Sequence, residues 1–447
     1  MSVNSKSKDG FVHLSKEELS KLDKEQLITK VISMQQHIKQ LQSLLTKQQQ
    51  TESKCLNSKK ENRIFDFSRY KLRHIFLKFL YLGWNYDGFV IQEDTLKTVE
   101  ASLFDALLKT KLIRSRETSN YHRCGRTDKG VSAYTQVVSL TVRSQLKNGI
   151  GIIEQEDYSG HDKVENSEEL DYISALNAVL PKDIRVICWS SVEDQTKSAR
   201  FDCQIRRYHY YFPMGQLDLA AMNKACHYLL GTNDYRNLCK MDVANGVLNY
   251  VRRVESASVQ PIHQLQDVIN PYNMCVFQIE STAFIWHQIR CIMSILFLVG
   301  QRLEEPTIVQ KLLNIEQFPS KPQYGLAPDL PLVLYDAKYE SCLIPEWNYG
   351  KSSNSLKILI GHLHQHWIEH SVKTTITKSM INSLLEIYEE KFQQTDSLEI
   401  INQSIFTYLS GGRLSKIYKP LLDRPLCDSL QSKIDKQQSK PKRIKLT

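Results

Sequence analysis

The stretch YHRCGRTDKGVSA, residues 121–133, places one carboxylate, Asp128, among the cations Arg123, Arg126 and Lys129. Asp-Lys-Gly alone is an ordinary turn sequence, because Asp bonds its own backbone and Gly accepts a positive φ. A turn does not need such a concentration of positive charge. Whether Asp128 has a chemical role therefore depends on what the flanking sequence predicts.

Strand and helix patterns alternate on both sides of this stretch. Residues 70–84 and 133–144 alternate apolar and polar side chains as half-buried strands do, and residues 96–113 have helical periodicity. Similar patterns continue to about residue 340 without the Gly-rich fingerprint of a dinucleotide fold. This order predicts an α+β fold in which two RRM-like halves of βαββ type form a mixed or antiparallel central sheet with flanking helices.

We divide the chain into five regions. They are a polar N-terminal region with an amphipathic, coiled-coil-like helix (1–65), a first half (66–200), a second half (201–345), a C-terminal helical extension (346–430) and a basic disordered tail (431–447). The N-terminal helix is indicated by apolar residues spaced alternately four and three apart, namely Leu27, Val31, Met34, Ile38, Leu41 and Leu45. They span fewer than three heptads, so a short helix that docks on the body is an equal interpretation. Residues 145–170 are acidic and irregular, which indicates an inserted loop.

Size and charge limit the class of protein. The chain has 447 residues, of which 41% are hydrophobic and 24% charged, as in a globular protein of two or three domains. Its formal net charge of +9 suits a polyanionic partner. The ten cysteines lack zinc-ribbon or redox-motif spacing and indicate reduced thiols in an intracellular protein. The longest apolar stretch, residues 291–300, is too short to span a bilayer, so no membrane role is expected.

A second informative segment, FIWHQIRCIMSILFLVG at 284–300, predicts a helix that is buried on nearly every face. Arg290 lies within it, and a buried guanidinium is costly unless a carboxylate or a phosphate pairs with it. Asp128 is one candidate partner. The alternative is that Arg290 lies near the helix start and extends into water.

A third segment, ARFDCQIRRYHYYF at 199–212, alternates arginines with aromatic residues along a predicted strand. One face of this strand would carry Arg206, Tyr208 and Tyr210, and the other would carry Arg207, His209 and Tyr211. Such a strand can hold phosphates and stack an unpaired base, although cross-strand aromatic packing is the commoner reason for the pattern.

A fourth segment, HLHQHWIEH, spaces His362, His366 and His370 four residues apart on a predicted helix, as a metal-binding helix would. Only Glu369 is available to complete a ligand set, so we expect no metal site.

The segments together resemble the TruA-type tRNA pseudouridine synthases. GRTDKGVSA at 125–133 reproduces that family's G-R-T-D-x-G-V-H/S-A loop. The family's other marks stand in order around it, as YLGWNYDGF (81–89), ARFDCQIRRYHYYF (199–212), HQIRCIMSILFLVG (287–300) and GLAPDLPLVLYD (325–336). The resemblance covers about residues 70–340.

Finer details resemble the eukaryotic branch that modifies tRNA positions 38 and 39. They are GWNYDGF in place of a bacterial Gly-Trp-Gln, the YHRC before the loop, HQIR in place of HMVR, the leading helix near 14–45, and YKPLLDRPLCDSL at 418–430.

The resemblance implies roles for individual residues. Asp128 matches the essential aspartate that is required to break the uridine glycosidic bond. Arg126 matches the arginine that takes the place of the flipped base or pairs with the carboxylate, and Arg290 matches the arginine that pairs with the aspartate. Tyr208 matches the tyrosine that stacks under the uracil, with Tyr210 as the alternative. The further residues expected to bind substrate are Arg123, Lys129, Arg206, Arg207, Tyr210, His287, and Leu332 or Leu334 as the wall of the pocket.

The implied reaction is the isomerisation of uridine to pseudouridine in the anticodon stem-loop of tRNA, at position 38, position 39 or both. The base leaves C1′ through N1, turns over in the site and rejoins through C5, so neither a cofactor nor a metal ion is expected. Asp128 either attacks C1′ or removes the 2′ proton, and both routes stay open. Arg290 and Arg126 would hold Asp128 ionised, that is, lower its pKa. A catalytically silent tRNA-binding or tRNA-folding protein on the same scaffold is the alternative.

The expected partners and location follow from the same sources. tRNA is the expected partner, other RNAs stay open as substrates, and similarity to bacterial members implies a homodimer. Residues 436–447 hold five basic residues and no acid, which suits either nuclear import or contact with phosphates. We expect the protein in the nucleus and the cytoplasm.

Overall fold

The structure is a computed structural model that describes residues 65–160, 168–263, 270–344, 346–412 and 417–439. The predicted N-terminal helix and residues 440–447 of the basic tail lie outside the described residues. The elements below belong to the compact unit that begins at Phe67.

Within the described residues, ten strands form one sheet and eight α-helices accompany it. The strands are β1 (Lys71–Tyr81), β2 (His122–Arg123), β3 (Ser132–Ser144), β4 (Ile152–Ile153), β5 (Ile184–Ser191), β6 (Ile205–Pro213), β7 (Gly231–Asp234), β8 (Val251–Pro261), β9 (Met274–Ser281) and β10 (Leu332–Lys338). The helices are α1 (Val99–Lys109), α2 (Tyr172–Val179), α3 (Leu219–His227), α4 (Gln288–Gly300), α5 (Ile308–Leu313), α6 (Asn354–Phe392), α7 (Ser397–Leu409) and α8 (Leu430–Gln438). This confirms the predicted α+β class.

The sheet is almost entirely antiparallel. Its order is β4-β1-β3-β10-β6-β9-β8-β7, with β2 beside β3 and β5 beside β1. Strand β1 lies between β3 and β5, and β6 lies between β9 and β10, so the first strand of each predicted half has a neighbour on both sides. The one parallel pairing in the described sheet joins β3 to β10. The sheet is therefore mixed, as the sequence predicts.

The parallel pairing joins the 121–133 stretch to the second half of the chain. Val333 and Leu334 of β10 pair with Ser132 and Ala133, the first residues of β3. On its other side Leu334 pairs with Tyr208 of β6. Strand order alone therefore brings the loop before β3 close to the aromatic strand β6.

Local sequence fixes where three of the helices begin. The side chains of Thr98, Asp171 and Asp218 precede α1, α2 and α3, and each accepts a hydrogen bond from a backbone amide of the first turn. Helix α4 is held instead by burial, because ten of its thirteen residues are buried, as predicted.

The C-terminal region differs from the sequence prediction at its end. Within the predicted helical extension, Asn354–Phe392 form the single 39-residue helix α6, which no Pro interrupts. Residues 431–438, which we assigned to a disordered tail, form most of α8, whose start Ser429 caps by accepting a hydrogen bond from the Ser432 amide.

The predicted inserted loop contains one short element. Residues Ile152–Ile153 form β4 against the start of β1, and residues 161–167 lie outside the described part. A search of the described helices finds none that is long and apolar enough to cross a membrane.

Candidate active site

The loop that carries Asp128 is held from three directions. The Val131 amide donates to the Asp128 carbonyl over 3.2 Å, which closes a turn, and Gly130 takes the positive φ of 78° that this turn needs. Behind the turn, the Tyr81 and Thr127 hydroxyls lie 2.7 Å apart, and the Phe89 amide donates to the Thr127 carbonyl over 3.1 Å. The backbone around Asp128 is therefore fixed by the end of β1 and the segment after it.

Gly83 shows how closely the two segments approach each other. A Cβ at this position would lie 1.9 Å from the Val131 carbonyl oxygen, which no side chain tolerates. The Gly83 amide also donates to the Ser132 hydroxyl over 2.9 Å. The glycine in YLGWNYDGF is thus required by the contact between β1 and the loop.

Asp128 is partly buried, and its side chain is 29% exposed. Burial raises the pKa of this carboxyl above its ordinary value and the charge of Asp329 adds to the rise, while the charges of Arg290 and Lys240 only partly oppose it. The expected lowering of the Asp128 pKa is therefore wrong in sign. Arg126, which we expected to contribute, is exposed and is not among the largest influences on this carboxyl.

Arg290 does not form the expected ion pair with Asp128. Its Nε donates to the Ala327 carbonyl over 2.8 Å, and its Nη2 lies 3.8 Å from Oδ2 of Asp329. The side chain is only 12% exposed, so it does not extend into water either. Arg290 acts on Asp128 through its charge at a longer distance.

His287 is the closest titratable neighbour of Asp128, with Nε2 3.5 Å from the carboxylate Oδ2. It stands directly before α4 with a φ of 60°, a left-handed backbone that is costly for a residue with a side chain. Burial, together with the charges of Arg290, Lys240 and Lys321, lowers the pKa of His287 to about 4. At neutral pH the imidazole is uncharged, and its contact with Asp128 is not an ion pair.

The two candidate tyrosines of β6 occupy different places. The Tyr208 hydroxyl lies 3.9 Å from where a Cβ on Gly125 would stand, and its ring packs edge-on against Phe284 at 5.1 Å. Tyr210 is fully buried, and its hydroxyl donates to the Pro328 carbonyl over 3.0 Å. Tyr208 is thus next to the Asp128 loop, residues 121–133. Tyr210 instead supports the segment before β10.

The candidate wall residues lie beside these tyrosines on β10. Leu332 pairs with Tyr210 and Leu334 with Tyr208, and both leucines are buried. Of the two leucines, Leu334 also pairs with Ala133, at the end of the Asp128 loop.

The other cations of the loop point to solvent. Arg126 is exposed, and desolvation by the surrounding protein, followed by the nearby charges of Arg123 and Arg200, lowers the pKa of its guanidinium. Lys129 is also exposed and forms an ion pair of 2.7 Å with Asp87. These side chains give the outer face of the loop a positive surface, which suits a phosphate backbone.

Three arginines predicted to bind substrate instead hold protein groups. Arg123 pairs with the fully buried Glu100 over 3.0 Å. Arg207 pairs with Glu280 on the opposite face of β6. Arg206 donates to the carbonyls of Cys124, Arg200, Cys203 and Thr282. Arg206 therefore connects the Asp128 loop by hydrogen bonds to the segment before β6 and to the end of β9.

The histidines of α6 face the first half of the sheet. Nε of Arg185 donates to Nδ1 of His362 over 3.3 Å, and the His370 ring lies 5.0 Å from the Trp84 ring. Among the described residues, no group of three His, Cys, Asp or Glu side chains is arranged to hold a metal ion.

Three residues near Asp128 escaped the sequence analysis. Lys240 lies 4.0 Å from the centre of the Trp286 ring, and both act on Asp128, as does Asp329. Asp329 and Trp286 lie within quoted motifs, at positions given no role. Lys240 follows β7 by six residues, outside every motif, so only the fold relates it to the site.

Comparisons with known proteins show which family this chain resembles. A family model described as tRNA pseudouridine synthase matches residues 225–340, a range that includes His287 and Arg290 but not Asp128. A tRNA pseudouridine(38/39) synthase of Bos taurus is 40% identical over 442 residues, which cover 94% of this chain and 89% of the relative.

More distant relatives carry similar names. A tRNA pseudouridine(38/39) synthase of Saccharomyces cerevisiae is 39% identical over 331 residues, 71% of this chain and 70% of the relative. A tRNA pseudouridine synthase A of Archaeoglobus fulgidus is 30% identical over 263 residues, 59% of this chain and 82% of the relative.

Proposed function

Because the chain belongs to the tRNA pseudouridine synthase family, we propose that it isomerises uridine to pseudouridine at positions 38 and 39 of the tRNA anticodon stem-loop, with Asp128 as the reacting carboxylate. The enzyme class, an isomerase acting on tRNA, is that of the family. The positions are those in the printed names of the bovine and yeast relatives. The observation that carries the residue assignment is the single partly buried carboxylate of the fixed loop, next to an uncharged histidine and within the field of Arg290.

The site suits a reaction that rearranges one nucleotide. Asp128 acts on the ribose, either at C1′ or on the 2′ proton, and in both routes it must be ionised. Its exposed fraction leaves the carboxylate reachable once the uridine has left the stem. Tyr208 supplies an aromatic ring beside the loop, and Arg126 supplies an exposed guanidinium that can fill the space of the extruded base.

The alternative, a silent tRNA-binding or tRNA-folding protein, requires no particular ionisation of Asp128. A substitution that changes only the charge separates the two. In Asp128→Asn we expect no detectable pseudouridine, while binding of unmodified tRNA stays within a few fold of wild type. Pseudouridine is mapped by carbodiimide labelling and primer extension on tRNA transcripts.

The matched control is Asp105→Asn, which neutralises an exposed carboxylate of α1 that pairs with Lys109 four residues away. This variant should map like wild type. Turnover by Asp128→Asn would contradict the residue assignment, and wild-type signal at other uridines would contradict positions 38 and 39. Wild-type protein that binds tRNA without modifying it would favour the silent alternative.

A homodimer is part of the proposal. It is supported by an apolar stripe on α6 that the described residues leave exposed. Its members recur every fourth residue and so wind gradually around the helix, as Ile368, Val372, Ile376, Met380 and Leu384. A two-fold dimer places the same patch of both copies in contact, and this stripe is long enough for such a pairing.

The proposed location is the nucleus and the cytoplasm, supported by the five basic residues at 436–447. Removing these residues from a tagged protein should reduce its nuclear share more than its turnover. Unchanged localisation would contradict the import role of the tail. RNAs other than tRNA are tested by the same mapping on total RNA.

A further inference from the structure

A cavity of about 400 Å³ has His287, but not Asp128, among its lining residues. It is also lined by three lysines, Lys240, Lys321 and Lys433, and no carboxylate lines it. Since His287 contacts Asp128, the cavity is one side chain away from the proposed reacting carboxylate.

The three lysines of this cavity have protein carboxylates only as more distant electrostatic partners: the charge of Lys240 acts on Asp128 and that of Lys433 on Asp428. Within the part of the chain that the structure describes, none of the three forms a direct ion pair, whereas Lys109 and Lys436 contact carboxylates over 2.7 and 2.8 Å. Three like charges around one space repel one another, and an anion that enters the space relieves that repulsion. An arrangement of this kind is typical of a site whose partner is a separate anionic molecule.

Two aromatic rings, that of Tyr324 in the lining of the cavity and that of Trp286 next to His287, each have a lysine ammonium over one face. The Lys240 ammonium lies 4.0 Å from the centre of the Trp286 ring, and the Lys321 ammonium lies 4.2 Å from the centre of the Tyr324 ring. A base would have to displace these cations to stack on those faces, whereas a phosphate would contact them directly. The cavity therefore suits the backbone of a nucleic acid better than a base.

We propose that this lysine cavity binds one phosphodiester of the substrate strand close to the target uridine and so sets the position of the nucleotide that enters the Asp128 site. Lys240 and Lys433 contact the phosphate, and Lys321, which also donates to the Cys239 carbonyl over 3.0 Å, supports it from below. This inference rests on the proposed function, because it names how the same site holds its RNA substrate.

The test uses anticodon stem-loop RNAs in which one phosphodiester at a time is replaced by an uncharged methylphosphonate. Linkages within three nucleotides on either side of the target uridine are scanned with wild type, Lys240→Gln and Lys433→Gln. For wild type, one linkage should raise KM about tenfold when neutralised. In each lysine variant KM is already raised with the normal RNA, and neutralising that linkage should add less than twofold.

Lys109→Gln is the matched control, because it removes one lysine charge from a residue already paired with Asp105. Its KM and its response to every linkage should equal those of wild type. The salt dependence of tRNA binding gives a second measurement: the slope of log affinity against log salt should fall by about one in Lys240→Gln and stay unchanged in Lys109→Gln.

If neutralising each linkage raised KM by the same factor in the lysine variants as in wild type, the two effects would be additive and the inference would be overturned. If free inorganic phosphate then inhibited wild type but neither lysine variant, the cavity would hold a small anion instead of the RNA backbone. Two lysines are varied separately so that poor folding of one variant leaves the other as the test. A wild type that makes no pseudouridine on any RNA would contradict the proposed function, which is a different result from additivity in an active enzyme.

Discussion

Two opposing influences set the pKa of Asp128, namely burial of its carboxyl and nearby positive charge. Burial raises the pKa of its carboxyl, and Arg290 is the largest influence in the opposite direction. The ionised fraction of Asp128 at a given pH therefore depends on a residue that does not touch it.

This balance predicts the effect of Arg290→Gln. Without the guanidinium the Asp128 pKa rises further, so the acid limb of kcat/KM should move to higher pH. Arg290→Lys keeps the charge and should leave the limb nearer to that of wild type. The profiles are measured between pH 5 and 8 on an anticodon stem-loop RNA, and an Arg290→Gln limb that coincides with that of wild type would contradict the role of Arg290.

His209 predicts a loss of stability in acid. Its ring stacks on Tyr335 with a centre separation of 3.7 Å, Nε2 is buried without a partner among the described residues, and burial lowers the His209 pKa to about 4. Between pH 6.5 and 4 the unfolded chain binds a proton that the folded protein does not, so the free energy of unfolding falls as pH falls, by at most about 3 kcal/mol.

Urea unfolding at pH 7 and pH 4.5 measures this loss. His209→Phe keeps an aromatic ring for the stack and should lose less stability between the two pH values than wild type. His227→Gln, at an exposed position on α3, should lose as much as wild type. An unchanged loss in His209→Phe would show that other groups cause the acid sensitivity.

Residue types at the site were predictable from sequence, but their partners were not. Asp128, Arg290 and Tyr208 lie in motifs and are found near one another. The sign of the Asp128 pKa was not predictable, because burial depends on packing around the loop and not on the adjacent cations. Lys240 was not predicted for the same reason, because only the folded chain brings it near Asp128.

At the scale of elements, Arg206 is the residue on which the loop depends most. Its guanidinium donates to carbonyls in three segments outside β6, including the carbonyl of Cys124 in the Asp128 loop. A planar guanidinium with five N–H donors can make such a set, whereas a lysine ammonium has only three.

Arg206→Lys should therefore destabilise the protein by about 2 kcal/mol and slow single-turnover pseudouridine formation while tRNA binding changes little. Urea unfolding and rapid-quench assays give the two values. Arg253→Lys, at an exposed residue of β8 that pairs with Glu255, should match wild type in both. Equal rates for Arg206→Lys and wild type would show that the loop is held without this arginine.

The elements themselves were more predictable than their arrangement. Alternation in β1, β3 and β6 gave strands because each buries one face or both in the core. The pairing of β3 with β10 had no sequence signal, because register between distant strands is set by the whole sheet. Helix α8 was missed because its residues are polar and charged, and a cap serine identifies a helix start only when the start is known.

For the whole molecule, the exposed stripe of α6 predicts the state in solution. Ile376→Glu combined with Met380→Glu keeps good helix formers but puts two like charges into the proposed contact. Light scattering should give about twice the chain mass for wild type and 51.9 kDa for the double variant. Thr374→Glu, elsewhere on the same helix, should behave as wild type, and a wild-type mass of 51.9 kDa would contradict the dimer.

The parallel contact between β3 and β10 has a consequence for synthesis of the protein. The Asp128 loop is complete when residue 133 has been synthesised. Val333, the partner of Ser132, is synthesised about 200 residues later. Until then the edge of β3 is open at Ser132 and Ala133, and an open strand edge is prone to pair with another chain. A truncated translation product carries Asp128 without the strand that pairs with Ser132 and Ala133. Competence for RNA modification thus arises in one late step, when the ribosome has delivered β10.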